Sequence, residues 1–560
     1  MLSKINPDEI ENSLISKSQR ELIRRYSTTN IEKPSLMARF NIVQTKAHLP
    51  AKGLDPKLAY EMIHDDLTLD GSPILNLASF VNVHTEPDSQ RLIEENLTKN
   101  LADNDEYPML IELQNRCIAI LGDLWHSEEA IGTPTTGSSE AVMLGGLAMK
   151  KNWQAARRAL KRDISSPNIL MASCCQVALE KFARYFDVEC RIVPVSDNNY
   201  LINYDEIKPL LDENTIGIFV IVGSTYTGGF EDVAKISQIL DEYEAESGYS
   251  IPIHVDGASG GFVAPFVYPD LKWDFQIERV KSINTSGHKF GLVTAGLGWI
   301  LFRDKEWLPD ELKFQLDYLG GVEESFSLNF SRPGYPVVHQ YYNFMRLGRK
   351  GYTEVFNNCL TNARILSCFL EETGWFKCIS NLHLPVGMMT NNRGSWELSQ
   401  NEGQLANHEK FNPALPVVSF QFNEAFMEKY AEIPQVLVSK ILRNKGWIVP
   451  NYHLPKTFIP KDGEQAPAVV GNDEILRVVV KFDLSSQLLD KLMHDIVDIV
   501  ENLVGSIDMV KEHLKHQGKA SNSTLIYNML LSISQGGDSR LIQFKDQKTA
   551  DDQHGFKAVC

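Results

Sequence analysis

The sequence predicts an α/β protein: a large, mostly parallel sheet covered by helices on both faces, followed by a smaller C-terminal α/β domain. Three observations carry this. Between residues 56 and about 345, apolar β-branched runs alternate with stretches of helical periodicity, the pattern of parallel strands joined by crossover helices. A second, shorter alternation follows a long helical segment. The chain, at 560 residues, is also too long for one hydrophobic core and must divide.

In chain order, residues 1–55 are polar and charged and read as a mobile arm with some helix. Residues 56–345 form the large domain. Its strands are expected at Ile169-Leu170-Met171-Ala172, Cys190-Arg191-Ile192-Val193-Pro194-Val195, Ile216 to Val222, Ile251 to Val255 and Trp299-Ile300-Leu301-Phe302. Residues 346–372 read as a connecting helix, and 373–505 as the small domain, with strands at Val417 to Phe422 and Leu476 to Val480. A polar stretch from Thr390 to Lys410 reads as a surface insertion.

The tail, 506–560, differs in character. Leu525, Ile526, Met529, Leu530 and Ile533 make an apolar stripe at helical spacing. Lys511, His513, Lys515, His516 and Lys519 form a separate basic stretch before it. All chemical motifs lie upstream, so removing everything after Gly505 is expected to spare the chemistry.

A formal net charge of −17 argues against nucleic acid or an anionic membrane surface as a partner. No apolar run approaches a bilayer span, and residues 1–8 lack a signal-peptide core, so a cytoplasmic location is expected. Eight scattered cysteines without a Cys-x-x-Cys suggest reduced thiols and no structural zinc. Cys174-Cys175 is expected near the functional strands. Cys560 is terminal and so cannot belong to a prenylation box.

The chemistry concentrates in three segments. Ser286-Gly287-His288-Lys289 presents a lysine among small residues, suited to Schiff-base formation with an aldehyde. Alone, it reads more readily as an exposed turn beside a solvated lysine. Upstream, Asp256 ends the apolar run Ile251 to Val255 and precedes Gly257-Ala258-Ser259-Gly260-Gly261. A buried carboxylate needs a cationic partner, and the protonated nitrogen of a pyridine ring is one; a helix cap is the alternative. Thr135-Thr136-Gly137-Ser138-Ser139-Glu140 opens a helix, where backbone N–H groups, hydroxyls and the helix dipole favour a phosphate.

In this order the three segments resemble the pyridoxal-phosphate-dependent decarboxylases, and further stretches resemble the glutamate decarboxylases of bacteria, plants and fungi. These include Asn76-Leu77-Ala78-Ser79-Phe80, Asn96 to Asp103, Asp105-Glu106-Tyr107-Pro108, Asp317-Tyr318-Leu319-Gly320-Gly321 and Asn329-Phe330-Ser331-Arg332-Pro333-Gly334. The similarity is dense from about 56 to 350, thinner to about 505, and closest in detail to fungal members. It implies the fold type I architecture of the aspartate aminotransferase superfamily, pyridoxal 5'-phosphate as cofactor and L-glutamate as substrate.

Carried over residue by residue, the resemblance makes Lys289 the cofactor-holding lysine and Asp256 the partner of the ring nitrogen. Ser138, Ser139 and His288 fall at the phosphate, Gln176 and Ala258 at the ring faces, Thr225 near the 3-hydroxyl, and Ser286 among the cofactor-binding residues. Ser331 reaches a partner subunit's phosphate. Arg477 takes the substrate's α-carboxylate, although spacing alone also allows a strand-edge ion pair. Ser79, Phe80, Asn100 and Asp103 form the distal-carboxylate pocket, in part across a dimer interface. His288 is either a proton donor or a structural hydrogen-bonding residue.

A homodimer is thus the expected minimum, with a hexamer also possible. Plant relatives carry a calmodulin-binding tail; here the basic and apolar stretches are not interleaved, so a helix packed on the protein itself is preferred. Decarboxylation of another amino acid, or cleavage of phosphorylated sphingoid bases, would lack the Asn76–Phe80 and Asn100–Pro108 segments. A catalytically dead regulatory homologue would not retain Lys289, Asp256 and Ser138-Ser139 together.

Overall fold

The computed structural model of the chain describes residue 49 and residues 53–316, 323–389, 405–460 and 473–516. The arm before residue 49, the insertion between Thr390 and Gln404 and the apolar stripe of the tail lie outside these. The described residues fall into two units, divided between Gly71 and Ser72. In the first, the helix Pro56–Leu67 is capped by Asp55, whose carboxylate accepts from the N–H groups of Lys57 and Leu58, with Pro56 at its first position.

The second unit is built on a seven-stranded sheet of order β1-β7-β6-β5-β4-β2-β3. The strands are β1 (Ile131–Thr135), β2 (Asn168–Ala172), β3 (Glu189–Val193), β4 (Thr215–Ile221), β5 (Ile253–Asp256), β6 (Val280–Thr285) and β7 (Gly298–Phe302). Only β7 runs against the others, pairing antiparallel with both β1 and β6. β2, β4 and β7 are buried at every position, which explains their unbroken apolar runs in place of polar alternation. The helix Ser138–Ala159 lies against β7, β6, β4, β1 and β5, and Gly145 and Gly146 on it give room to the His254 and Phe182 rings. A short ribbon, β8 (Phe314–Leu316) with β9 (Glu323–Ser325), follows.

The helical stretch Tyr335–Glu372 breaks at Gly348 (φ 57°), a left-handed conformation that favours glycine. Its second segment leads into a four-stranded antiparallel sheet of order β10-β11-β13-β12, namely β10 (Phe376–Cys378), β11 (Val417–Phe422), β12 (Asn451–His453) and β13 (Glu474–Val479). The last described helix, Ser486–His516, runs straight through Gly505. Ile507 on it is fully buried, Tyr430 donates to Asp508 and Lys511 pairs with Glu432. A cut after Gly505 would therefore remove packed residues, Ile507, Asp508 and Lys511 among them. Among the described residues no helix is long and apolar enough to cross a membrane.

Candidate active site

Five parallel strands deliver the chain at or just beyond their C-terminal ends to one cavity of about 360 Å³, the usual place for ligands in open α/β sheets. Thr136, Gly137, Ser138 and Ser139 come after β1, Cys174 and Gln176 after β2, and Gly223 and Thr225 after β4. Asp256 is the last residue of β5, with Ala258 and Ser259 beyond it, and β6 leads to His288 and Lys289. β7 comes so close that a Cβ at Gly298 would lie 2.7 Å from the Ser138 nitrogen.

Lys289 Nζ donates to Ser259 Oγ (3.3 Å) and sits 5.4 Å from the centre of the Phe80 ring. Burial pushes its pKa down; the Asp256 charge opposes this and the Arg477 charge reinforces it. The amine is thereby shifted toward its nucleophilic form. Arg477, on β13, has its guanidinium 5.0 Å from the same Phe80 ring. Its Nη1 donates to the Thr225 carbonyl (2.8 Å) and its Nη2 to that of Ala78, while Nε is buried with no protein partner among the described residues.

Behind Asp256 stands a relay that sequence reading did not find. Asn284 Nδ2 donates to Asp256 Oδ1 (3.0 Å), His254 Nε2 lies 2.8 Å from Asn284 Oδ1, and His254 Nδ1 lies 2.7 Å from Ser282 Oγ. Because Asn284 presents its oxygen to the ring, Nε2 carries the proton and Ser282 donates to Nδ1. The Ala258 N–H also donates to Asp256 Oδ1 (3.1 Å). Asp256 does not cap a helix: the next one starts at Gly260 with Ser259 in the cap position.

Burial holds the fully enclosed His254 neutral, its pKa lowered to about 4. The native state therefore refuses a proton that the unfolded chain accepts. The stability this contributes is complete above about pH 6.5 and is lost as pH falls toward 4, on the order of 3 kcal/mol in all. Urea midpoints measured from pH 7 to 4.5 should fall for the native protein and fall less steeply for His254→Gln.

His288 is also held neutral, burial first and the Lys289 charge second lowering its pKa to about 4. Its Nδ1 and the Ser286 hydroxyl are buried without hydrogen-bond partners among the described residues; Ser286 itself lies behind the cavity lining. Gln176 caps the helix Val177–Tyr185 through its side-chain oxygen (2.6 Å to the Ala178 N–H). Glu140, another residue missed in the sequence, accepts from Thr136 and from the backbone of Leu328 and Asn329, tying that loop to the cradle. Tyr452 stacks within 5.6 Å of the Arg477 guanidinium.

Ser79, Phe80, Asn100, Asp103, Ser331 and Arg477 are not in the cavity lining. Asn100 Nδ2 donates to Ser331 Oγ (3.2 Å) and its oxygen accepts from the Arg332 N–H (3.0 Å). Asp103 accepts from the Glu106 N–H (3.0 Å), and Ser79 Oγ from the Val81 N–H (3.1 Å).

A lysine of lowered pKa, a buried carboxylate and a helix N-terminus in one cavity define an amine-handling site with an anion cradle. The family model for the pyridoxal-dependent decarboxylase conserved domain matches residues 75–388. The chain is 48% identical to the glutamate decarboxylase of Saccharomyces cerevisiae, over 88% of this chain and 86% of that one. It is 42% identical to that of Solanum lycopersicum, over 82% and 83%. The solved structure of Lactobacillus brevis glutamate decarboxylase superposes with a TM-score of 0.72 at 34% identity, covering 84% of this chain and 98% of that one. The chain belongs to the pyridoxal-dependent decarboxylases, within their glutamate decarboxylase group.

The cavity fits pyridoxal phosphate. Its volume lies within the range of about 300–1,000 Å³ common for small-molecule sites. The cap position of the cradle helix is Gly137, so the Ser138 and Ser139 hydroxyls are not engaged as caps. The unpartnered His288 nitrogen adds a polar group on the same wall.

Proposed function

We propose that this chain decarboxylates L-glutamate to 4-aminobutanoate and carbon dioxide with pyridoxal phosphate, a step of glutamate breakdown. The observation that carries the reading is that Lys289 and Arg477 share the Phe80 ring, Nζ 5.4 Å and the guanidinium 5.0 Å from its centre, while the Asp256 and Arg477 charges both act on the lysine amine. Bound pyridoxal phosphate supplies an aldehyde that captures amines and a ring that accepts the electron pair of the breaking C–C bond. Lys289 would hold the aldehyde, and Asp256, oriented by Asn284 and His254, would keep the ring nitrogen protonated. Ser138, Ser139 and His288 would hold the phosphate with Ser286 beside it, Gln176 and Ala258 the ring faces, and Thr225 the 3-hydroxyl.

Arg477 would bind the α-carboxylate. Two of its donors are fixed by the Thr225 and Ala78 carbonyls, so the guanidinium is already oriented when substrate arrives. Ser79 and Phe80 would border the distal carboxylate, joined by Asn100 and Asp103 across a homodimer, the minimum active unit. The hydrogen bond of Asn100 to Ser331, the residue expected to reach the partner subunit, supports that assignment.

The test is kcat/KM for glutamate, aspartate and tyrosine from mildly acidic to neutral pH. Glutamate should lead and tyrosine should be inert. Aspartate, one methylene short, leaves one carboxylate subsite unpaired and should lose roughly 10–100-fold, roughly 1–3 kcal/mol. Asp103 would border the distal carboxylate, so Asp103→Ala should weaken glutamate turnover. Comparable rates on tyrosine, or an Asp103→Ala enzyme unchanged at every pH, would contradict this pocket.

A further inference from the structure

We propose that Glu371, Cys378 and His383 form a binding site for one zinc-type divalent cation, outside the Lys289 cavity. One carboxylate oxygen, the thiol sulfur and one imidazole nitrogen lie within 4.8 Å of one another. Sulfur, nitrogen and oxygen ligands together suit zinc, whose tetrahedral bonds of about 2.0–2.3 Å set ligand atoms roughly 3.3–3.8 Å apart. His383 Nε2 and Glu371 Oε2 already stand 3.3 Å apart.

The state of His383 is the second, independent observation. Its side chain is 0% exposed, yet neither ring nitrogen makes a hydrogen bond among the described residues, the Glu371 contact being misaligned for one. A buried imidazole with both nitrogens unsatisfied is costly. Lone pairs of two groups that approach but do not hydrogen-bond can instead meet on a shared cation. The Ser367 hydroxyl is likewise buried and unpartnered, and it or a water could complete four ligands.

The surroundings fit. The Cys378 N–H donates to Glu371 Oε1 (3.2 Å), which orients the carboxylate from the strand that carries the thiol. The thiol donates to the Ser367 carbonyl (3.5 Å). On binding, that thiol proton leaves to solvent and the sulfur coordinates as thiolate. Dication, thiolate and carboxylate then sum to zero charge, the condition under which ions are tolerated in a core.

Glu371 belongs to the last turn of the helix Tyr335–Glu372, Cys378 ends β10, and His383 follows in the next turn. β10 is an edge strand of the smaller sheet. The ion would pin that edge to the connecting helix, a structural role distinct from catalysis. No structural zinc is expected in the chain from its sequence, and this site departs from that expectation because its ligands come together only in the fold.

The test uses the full-length holoenzyme. After incubation with Zn²⁺ and gel filtration, metal analysis should find one equivalent per chain. Co²⁺ in its place should give intense tetrahedral ligand-field bands, to the red of the cofactor's own absorption. Cys378→Ser and His383→Gln should abolish both, and Glu371→Gln should weaken Zn²⁺ at least about 10-fold in competition with a chromophoric chelator. Less than stoichiometric zinc with no tetrahedral cobalt band in the native protein would overturn the proposal. So would bands that persist in Cys378→Ser and His383→Gln. Should those two fail to fold, unchanged zinc affinity in Glu371→Gln overturns it alone.

Discussion

Replacing Lys289 with alanine is expected to reduce kcat on glutamate by on the order of 10⁴-fold or more and to leave the fold intact. The two effects separate because of where the side chain sits. Lys289 Nζ donates to Ser259 Oγ and lies 5.4 Å from the centre of the Phe80 ring. Burial already disfavours its charged form, and the side chain lines the cavity, so truncation enlarges a space that is already there. Chemistry has no such tolerance, because no neighbour in Ser286-Gly287-His288 offers an amine. Far-ultraviolet circular dichroism should match the native protein, while steady-state assays show no turnover and the cofactor is lost on gel filtration. Retention of even a tenth of the native rate would refute the role.

Asp256→Asn should bind cofactor and substrate but turn over slowly, with kcat down on the order of 10²–10³-fold, the scale seen when a fixed electrostatic partner of a developing charge is removed. Asparagine fills the same volume and can still accept from the Ala258 N–H and from Asn284 Nδ2, so the site should keep its shape. What it lacks is the negative charge that keeps a ring nitrogen protonated. The change should therefore appear in kcat with KM close to native. A variant at near-native kcat would make Asp256 a turn residue, holding Ala258 in place and nothing more.

β2, β4, β5, β7 and β11 were legible because they are buried at every position, whereas β1 and β6, with polar residues in their runs, were not legible as strands. The run Val417 to Phe422 coincides with β11, and Ile169 to Ala172 falls short of β2 by one residue. The lysine, aspartate and serine segments were legible because each carries its chemistry within a few consecutive residues. What stayed hidden depends on pairing between strands. Asn284 meets Asp256 because β5 and β6 align those two positions, and His254 reaches Asn284 from two residues earlier on the same face. Nothing within either strand marks this.

The antiparallel β7 was similarly opaque, since an apolar five-residue run carries no direction, yet it sets Gly298 against Ser138. Glu140 clamps residues 328 and 329 from far along the chain, a contact that only the folded ribbon creates. Gly505 looked like a boundary from composition, but a glycine inside a long amphipathic helix is tolerated when its neighbours are packed, as Leu503 and Ile507 are.

The central claim is that Lys289 is the covalent anchor of the cofactor in a glutamate-decarboxylating cavity. Borohydride reduction of the purified holoenzyme, followed by proteolysis and mass spectrometry, tests it most directly. The account predicts one pyridoxyl-modified peptide, containing Ser286-Gly287-His288-Lys289 with the added mass on Lys289, and loss of glutamate decarboxylation in proportion to the modification. Modification at another lysine, or full activity after stoichiometric reduction at Lys289, would contradict it.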